Sequence, residues 1–218
     1  FSIPKINAES SDGKPQLESK KHGPYYWNEA IKSEVNAIDL LQYDKKEAER
    51  FRKMGFGAVL SQQKDGIIRG TSVLLGLNDE KFGSILSEKA AFNYSFYKGS
   101  SKQDYPSSLM GMIALIRQTL FDANWYENPD KETDFNASLK AINDYKSLPQ
   151  FFEVESDLSI LRATKIGAEF NLPFIIKGNG KEYKRINELK ENKTQLIVPI
   201  NFPDAYDVSA VSYTHLRA

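Results

Sequence analysis

The sequence predicts an α/β protein with parallel β-strands, and it favours a barrel over an open sheet. In the last third of the chain, short apolar segments alternate with segments of helical periodicity. Phe152, Ile175 and Val198 lie in three successive apolar segments, and each is 23 residues from the next. A strand–helix–strand unit requires this spacing. The segments are continuously apolar, as is typical of parallel strands buried on both faces.

The elements follow in order along the chain. Residues 1–24 are polar and turn-rich, so we expect an irregular connection there. Predicted helices cover residues 45–54, 109–123, 134–147, 156–170 and 182–192, the third capped by Asp134 and the fourth by Ser156. Predicted strands cover residues 56–61, 67–77, 91–97, 149–154, 173–178 and 194–203, with a turn near Asn78.

Composition excludes several classes of protein. The 218 residues are enough for one domain with a sizeable core. The 29 basic and 29 acidic side chains cancel, so the long-range attraction expected of a binder of nucleic acid or anionic membranes is missing. The absence of cysteine excludes disulfides and cysteine-based zinc sites. We therefore expect neither nucleic acid nor a membrane as a partner.

Lys177 is a candidate functional residue because it ends a predicted strand and precedes the glycine-rich residues 178–180. The carboxyl ends of parallel strands point into the functional site of barrels and open α/β sheets. The glycines lack the third glycine and the acidic ribose partner of a dinucleotide site, so we expect a plain turn.

Three stretches resemble the amidohydrolase superfamily, in particular its imidazolonepropionase-like members. Residues 46–77 are similar to the second-strand region, and residues 159–190 and 196–208 are similar to later barrel steps. These long stretches of sequence are similar to those of large amidohydrolase-family proteins of the Bacteroidetes type. The resemblance implies a TIM-type (β/α)8 metal-dependent hydrolase barrel, incomplete in this chain. Such enzymes lower the pKa of a metal-bound water toward ~7, which produces hydroxide at neutral pH.

Active members hold one or two metal ions through an HxH pair, two single histidines and an aspartate, and some add a carbamylated lysine. This sequence contains no HxH motif. The resemblance implies a histidine after the fifth strand, near the position of Glu153. It implies another after the sixth strand, at the position that Lys177 occupies in this chain. We therefore expect no metal and no other cofactor in this segment, with zinc or another divalent metal in the rest of the parent protein.

Glu153, Lys177 and Arg69 are the candidate substrate-binding residues. A protonated lysine cannot coordinate a metal, so Lys177 is expected to form an ion pair with Glu153 across the barrel mouth. A Schiff-base lysine is the alternative. Arg69 fits either an anionic substrate or a loop-capping role. Asp204 and Asp207 follow a predicted strand, and turn-forming roles are favoured for them.

The two ends of the chain indicate a fragment. It begins with Phe1 rather than Met, and residues 209–218 resemble translated sequencing-adaptor read-through, so we expect them to be non-native. Residues 25–208 are then a partial barrel. Its expected partners are the remainder of its own chain, including a possible second barrel, and a small-molecule ligand. The resemblance implies a periplasmic or secreted location.

Two functions are compatible with these observations. In the first, the parent protein hydrolyses a non-peptide C–N bond with metal-activated water. In the second, the segment is a non-catalytic, degenerate barrel module that scaffolds or binds a ligand beside a catalytic barrel. For the segment alone we favour the second, since its two histidines, His22 and His215, cannot assemble a ligand set.

Overall fold

The computed structural model describes residues 19–79, 83–128 and 133–200. Six strands form one curled sheet, a half-barrel, in the order of the sequence. The strands are β1 (Ala58–Gln62), β2 (Ile68–Gly76), β3 (Ile85–Ser95), β4 (Gln150–Glu153), β5 (Phe174–Lys177) and β6 (Gln195–Ile197). The helices are α1 (Lys45–Lys53), α2 (Leu109–Trp125), α3 (Ala137–Asp144), α4 (Asp157–Glu169) and α5 (Ile186–Glu191). The prediction of an α/β fold is confirmed, and the half-barrel agrees with an incomplete barrel.

Strand direction divides the sheet into two parts. From β3 to β6 all neighbours are parallel, as predicted. The β1–β2 and β2–β3 pairs are antiparallel, so the prediction of parallel strands is wrong for this part of the sheet. Residues 63–67 and 77–84 are too short for the crossover of a dozen or more residues that parallel neighbours require.

One face of the sheet packs against the helices. Tyr94, Phe152 and Ile176 from adjacent parallel strands are fully buried there, and the rings of Tyr94 and Phe152 stack with their centroids 6.0 Å apart. Helix α2 contributes buried side chains at helical spacing, among them Ile116, Leu120 and Ala123. The main core therefore lies between the parallel strands and the helices.

The opposite face of the sheet is less covered than expected. Along β4 and β5, buried and half-buried residues alternate, so Phe151 and Ile175 are only partly buried. The apolar runs had predicted burial on both faces. Successive side chains of a strand point to opposite faces, and the described residues enclose only the helix side completely. We call the less covered side, which carries Phe151, Glu153, Ile175 and Lys177, the Glu153 face.

Helix boundaries follow local capping. Ser156 caps α4 as predicted, its side chain accepting from the Ser159 N–H. Asn136, not Asp134, caps α3, because the helix begins at Ala137 and the extended Asn136 accepts from two backbone N–H groups. The predicted helix at 182–192 is a 3₁₀ turn, Glu182–Arg185, followed by α5.

The segment before α1 runs along β2 without forming a strand of its own. Ile31 and Asn36 make single parallel bridges to Ile68 and Thr71. Gly70 has φ +75°, and a Cβ there would lie 2.0 Å from the Val35 carbonyl oxygen, so this close approach requires glycine. In the described parts of the chain, no helix is long and apolar enough to cross a membrane.

Candidate functional site

Glu153 and Lys177 lie side by side at the carboxyl ends of two parallel strands. They are paired in the β4–β5 register, and Lys177 Nζ donates to Glu153 Oε1 over 2.7 Å. Residues paired in register put their side chains on the same face. The structure therefore shows the ion pair that the sequence predicted for these two residues.

Arg69 reaches the same carboxylate from strand β2. The β2–β3 pairing shifts register between Ile68 and Gly70. The Arg69 side chain is 3% exposed, and its Nη1 donates to Glu153 Oε2. Its Nε also donates to the Gly66 carbonyl oxygen over 3.0 Å. Arg69 thus caps the loop before β2 and contacts a carboxylate at the same time. We call Arg69, Glu153 and Lys177 the strand-end cluster.

The two cations fix the charge of Glu153. Burial alone would raise the pKa of the Glu153 carboxyl, since its side chain is only 25% exposed. Hydrogen bonds from Lys177 and Arg69, with the charges of both cations, outweigh burial and lower this pKa to about 2. At neutral pH the cluster therefore contains one carboxylate and two cations, a net charge of +1.

Sequence reasoning missed the residues that support this cluster. Ser95 is paired with Glu153 in the β3–β4 register, and its Oγ donates to the Gly66 carbonyl oxygen over 3.0 Å. The Gly66 oxygen therefore accepts from both Ser95 and Arg69. Ser95 lies in a predicted strand, so aligning the strand ends could have found it.

A second network fixes the loop that follows β3. Asp65 accepts from the Ser100 N–H over 2.6 Å and from Ser100 Oγ over 2.7 Å. It also forms an ion pair with Lys32. Burial by itself would raise the pKa of Asp65. The hydrogen bonds from Lys32 and Ser100 have the larger effect, so the pKa is lowered below its ordinary value. Nothing in the local sequence pattern pointed to this network, because its members come from three distant segments.

The glycine-rich loop after Lys177 is filled by a side chain of the protein itself. The Gly180 N–H donates to Glu182 Oε1 over 2.9 Å. A Cβ on Gly178 would lie 1.6 Å from the same oxygen, so glycine permits the carboxylate to approach. The Gly178 N–H donates to the Ile197 carbonyl oxygen. This arrangement is that of an internally braced turn, and the N–H groups of Gly178 and Gly180 already have partners.

The donor set at the strand ends does not fit a divalent metal. Both carboxylate oxygens of Glu153 are engaged by cations, and a charged lysine or arginine has no lone pair for coordination. Among residues 19–79, 83–128 and 133–200, no group of three His, Cys, Asp or Glu side chains is arranged to hold a metal. Asp204, Asp207 and His215 lie outside the described residues.

The comparisons identify one similar fold. No family model matches the chain, and no curated protein sequence matches it either. A crystal structure of an amidohydrolase from Thermotoga maritima superposes with a TM-score of 0.66 at 18% sequence identity. The match covers 91% of this chain and 57% of that chain. The chain therefore shares the fold of part of an amidohydrolase and spans little more than half of that protein's length.

Proposed function

We propose that this chain is a metal-free segment of an amidohydrolase-like TIM-type barrel, and that it acts as a scaffolding and ligand-binding module rather than as a catalytic centre. The observation that carries this proposal is the double engagement of Glu153 by Lys177 and Arg69 at the strand ends. In the related enzymes implied by the sequence resemblance, such strand ends hold metal ligands. In this chain two cations stand where a metal would need donors.

The charge of the strand-end cluster opposes metal binding. A divalent cation entering the cluster would have to displace Lys177 or Arg69 from Glu153 before it gained a single ligand. Arg69 is almost completely buried, and a guanidinium group is a donor only, with no lone pair to offer a metal. A metal would therefore be placed beside an unpaired buried cation, which is strongly unfavourable.

Metal content tests the proposal directly. The chain is loaded with excess Zn²⁺, desalted and analysed for bound metal, and its melting temperature is measured with and without Zn²⁺. We expect far less than one ion per chain. A ligand that binds only the folded state must stabilise it, so without a zinc site the melting temperature should not rise with Zn²⁺.

The control variant is Glu169→Gln. Glu169 also pairs with an arginine, Arg117, but it lies on helix α4, away from the strand ends. One zinc ion per chain that is lost in Glu153→Gln and retained in Glu169→Gln would overturn the proposal and make Glu153 a metal ligand.

For the parent protein we propose hydrolysis of a non-peptide C–N bond, such as that of a cyclic amide, by metal-activated water. The fold shared with the Thermotoga maritima amidohydrolase over 91% of this chain supports it. The full-length protein is assayed for hydrolysis of cyclic amides with and without a chelator. We expect chelation to abolish activity and Lys177→Met to preserve it. Activity that persists in chelator would contradict this second proposal.

A further inference from the structure

The exposed half of the strand-end cluster carries an uncompensated positive charge. Arg69 is buried, but the Lys177 side chain is 40% exposed. An ammonium group has three N–H donors, and Glu153 is the hydrogen-bond partner found for Lys177 Nζ among the described residues. Lys177 can therefore donate to a further acceptor from the solvent side while it keeps its ion pair.

An apolar surface lies directly beside this charge. Phe151 and Ile175 are paired in register two residues before Glu153 and Lys177, on the same face. Both are only half-buried. Ile197, the register partner of Lys177 on β6, is 40% exposed. Covering such side chains with an apolar group is favourable by roughly 25 cal/mol per Å² of area removed from water.

We propose that the Glu153 face binds a small monocarboxylate with an apolar body, its carboxylate on Lys177 and its body over Phe151 and Ile175. Charge complementarity selects this ligand, since one bound carboxylate brings the net charge of the cluster to zero. The inference rests on the proposed function, because it requires a cluster without metal.

The same geometry disfavours two other ligand classes. A phosphate group is usually held by several backbone N–H groups of a glycine-rich loop. In this chain the Gly178 and Gly180 N–H groups already donate to Ile197 and Glu182. A cationic ligand would meet two positive side chains around a single, fully engaged carboxylate.

The test compares two probes of nearly the same shape, 3-phenylpropionate and its uncharged amide, by isothermal titration calorimetry on the full chain. The acid is expected to bind and the amide to bind at least about tenfold more weakly, a difference of about 1.4 kcal/mol. Binding of the acid should weaken as salt is raised, because the charge on Lys177 is partly exposed. This comparison needs no variant, so it does not depend on how a substitution folds.

Three variants locate the site. Lys177→Met should weaken binding of the acid about tenfold, and Glu153→Gln should strengthen it by removing the competing negative charge. Lys165→Met is the matched control, since Lys165 is an exposed lysine on helix α4, and it should leave binding unchanged.

The proposal is wrong if acid and amide bind equally, if neither binds, or if Lys177→Met and Lys165→Met behave alike. A dimer of this chain that buries the Glu153 face and blocks the probe would also overturn it. Failure of probe binding in a chain that also rejects zinc removes this inference and leaves the proposed function intact. Stoichiometric zinc at Glu153 removes both.

Discussion

Glu153 and Lys177 are paired in register on adjacent parallel strands, and Lys177 Nζ lies 2.7 Å from Glu153 Oε1. Arg69 approaches the other carboxylate oxygen from the antiparallel part of the sheet. A single carboxylate thus connects strand β2 with β4 and β5. The cluster links the two parts of the half-barrel as well as defining the candidate site.

The two cations of the cluster should contribute unequally to stability. Replacing buried Arg69 by Met leaves Glu153 with one partner and the Gly66 oxygen with one donor fewer, so we expect a loss of about 3 kcal/mol. Replacing the partly exposed Lys177 by Met should cost no more than about 1 kcal/mol. Urea unfolding at pH 7 measures both. Arg117→Met, in an exposed arginine–glutamate pair, is the control for Arg69→Met. A loss in Arg117→Met equal to that in Arg69→Met would contradict the argument from burial.

Acid should destabilise the protein partly through Glu153. Its pKa is lowered from 4.5 to about 2 in the folded state. Above pH 4.5 the ionised carboxylate therefore stabilises the folded state relative to the unfolded state. This stability is lost as the pH falls from 4.5 toward 2, because the unfolded state then binds the proton more tightly. Partial exposure limits the contribution to no more than about 3 kcal/mol.

Comparison with Glu153→Gln isolates this effect from that of other carboxylates. The variant should be less stable than the wild type at pH 7, and the difference should shrink as the pH falls toward 2. Free energies of unfolding from urea titrations at several pH values provide the measurement. A difference that is constant with pH would show that the Glu153 charge does not contribute to folding.

The turn after β5 should depend on glycine at position 178. An alanine Cβ would lie 1.6 Å from Glu182 Oε1, so the carboxylate must move and lose its hydrogen bond to the Gly180 N–H. We expect Gly178→Ala to destabilise the protein by about 1–2 kcal/mol. Combined with Glu182→Ala, the same change should cost much less, and the double-mutant cycle reports this coupling.

Gly57→Ala is the control for this cycle, because a Cβ on Gly57 has no atom within 4 Å and its substitution should change stability little. If Gly178→Ala costs the same with and without Glu182, the close approach of these two residues does not determine the turn.

Local features of the chain were predictable from the sequence. The strands that contain Phe152 and Ile176 and the cap at Ser156 were placed correctly, because periodicity and capping depend on residues a few positions apart. Lys177 was located at a strand end for the same reason. Asp134 was predicted as the cap of α3, but the helix begins at Ala137 and Asn136 caps it. Aspartate and asparagine are both good caps, so residue type alone does not determine where the helix begins.

The sequence by itself therefore determined the order of the elements and the presence of Glu153 and Lys177 at neighbouring strand ends. Only the tertiary structure decided that β1 to β3 run antiparallel, that Glu182 fills the glycine loop and that Arg69 reaches Glu153. Arg69 and Glu153 are 84 residues apart in the chain. Their contact depends on strand register and on the register shift between Ile68 and Gly70 in the β2–β3 pairing, which arise when the whole sheet assembles and leave no periodic signal in either segment.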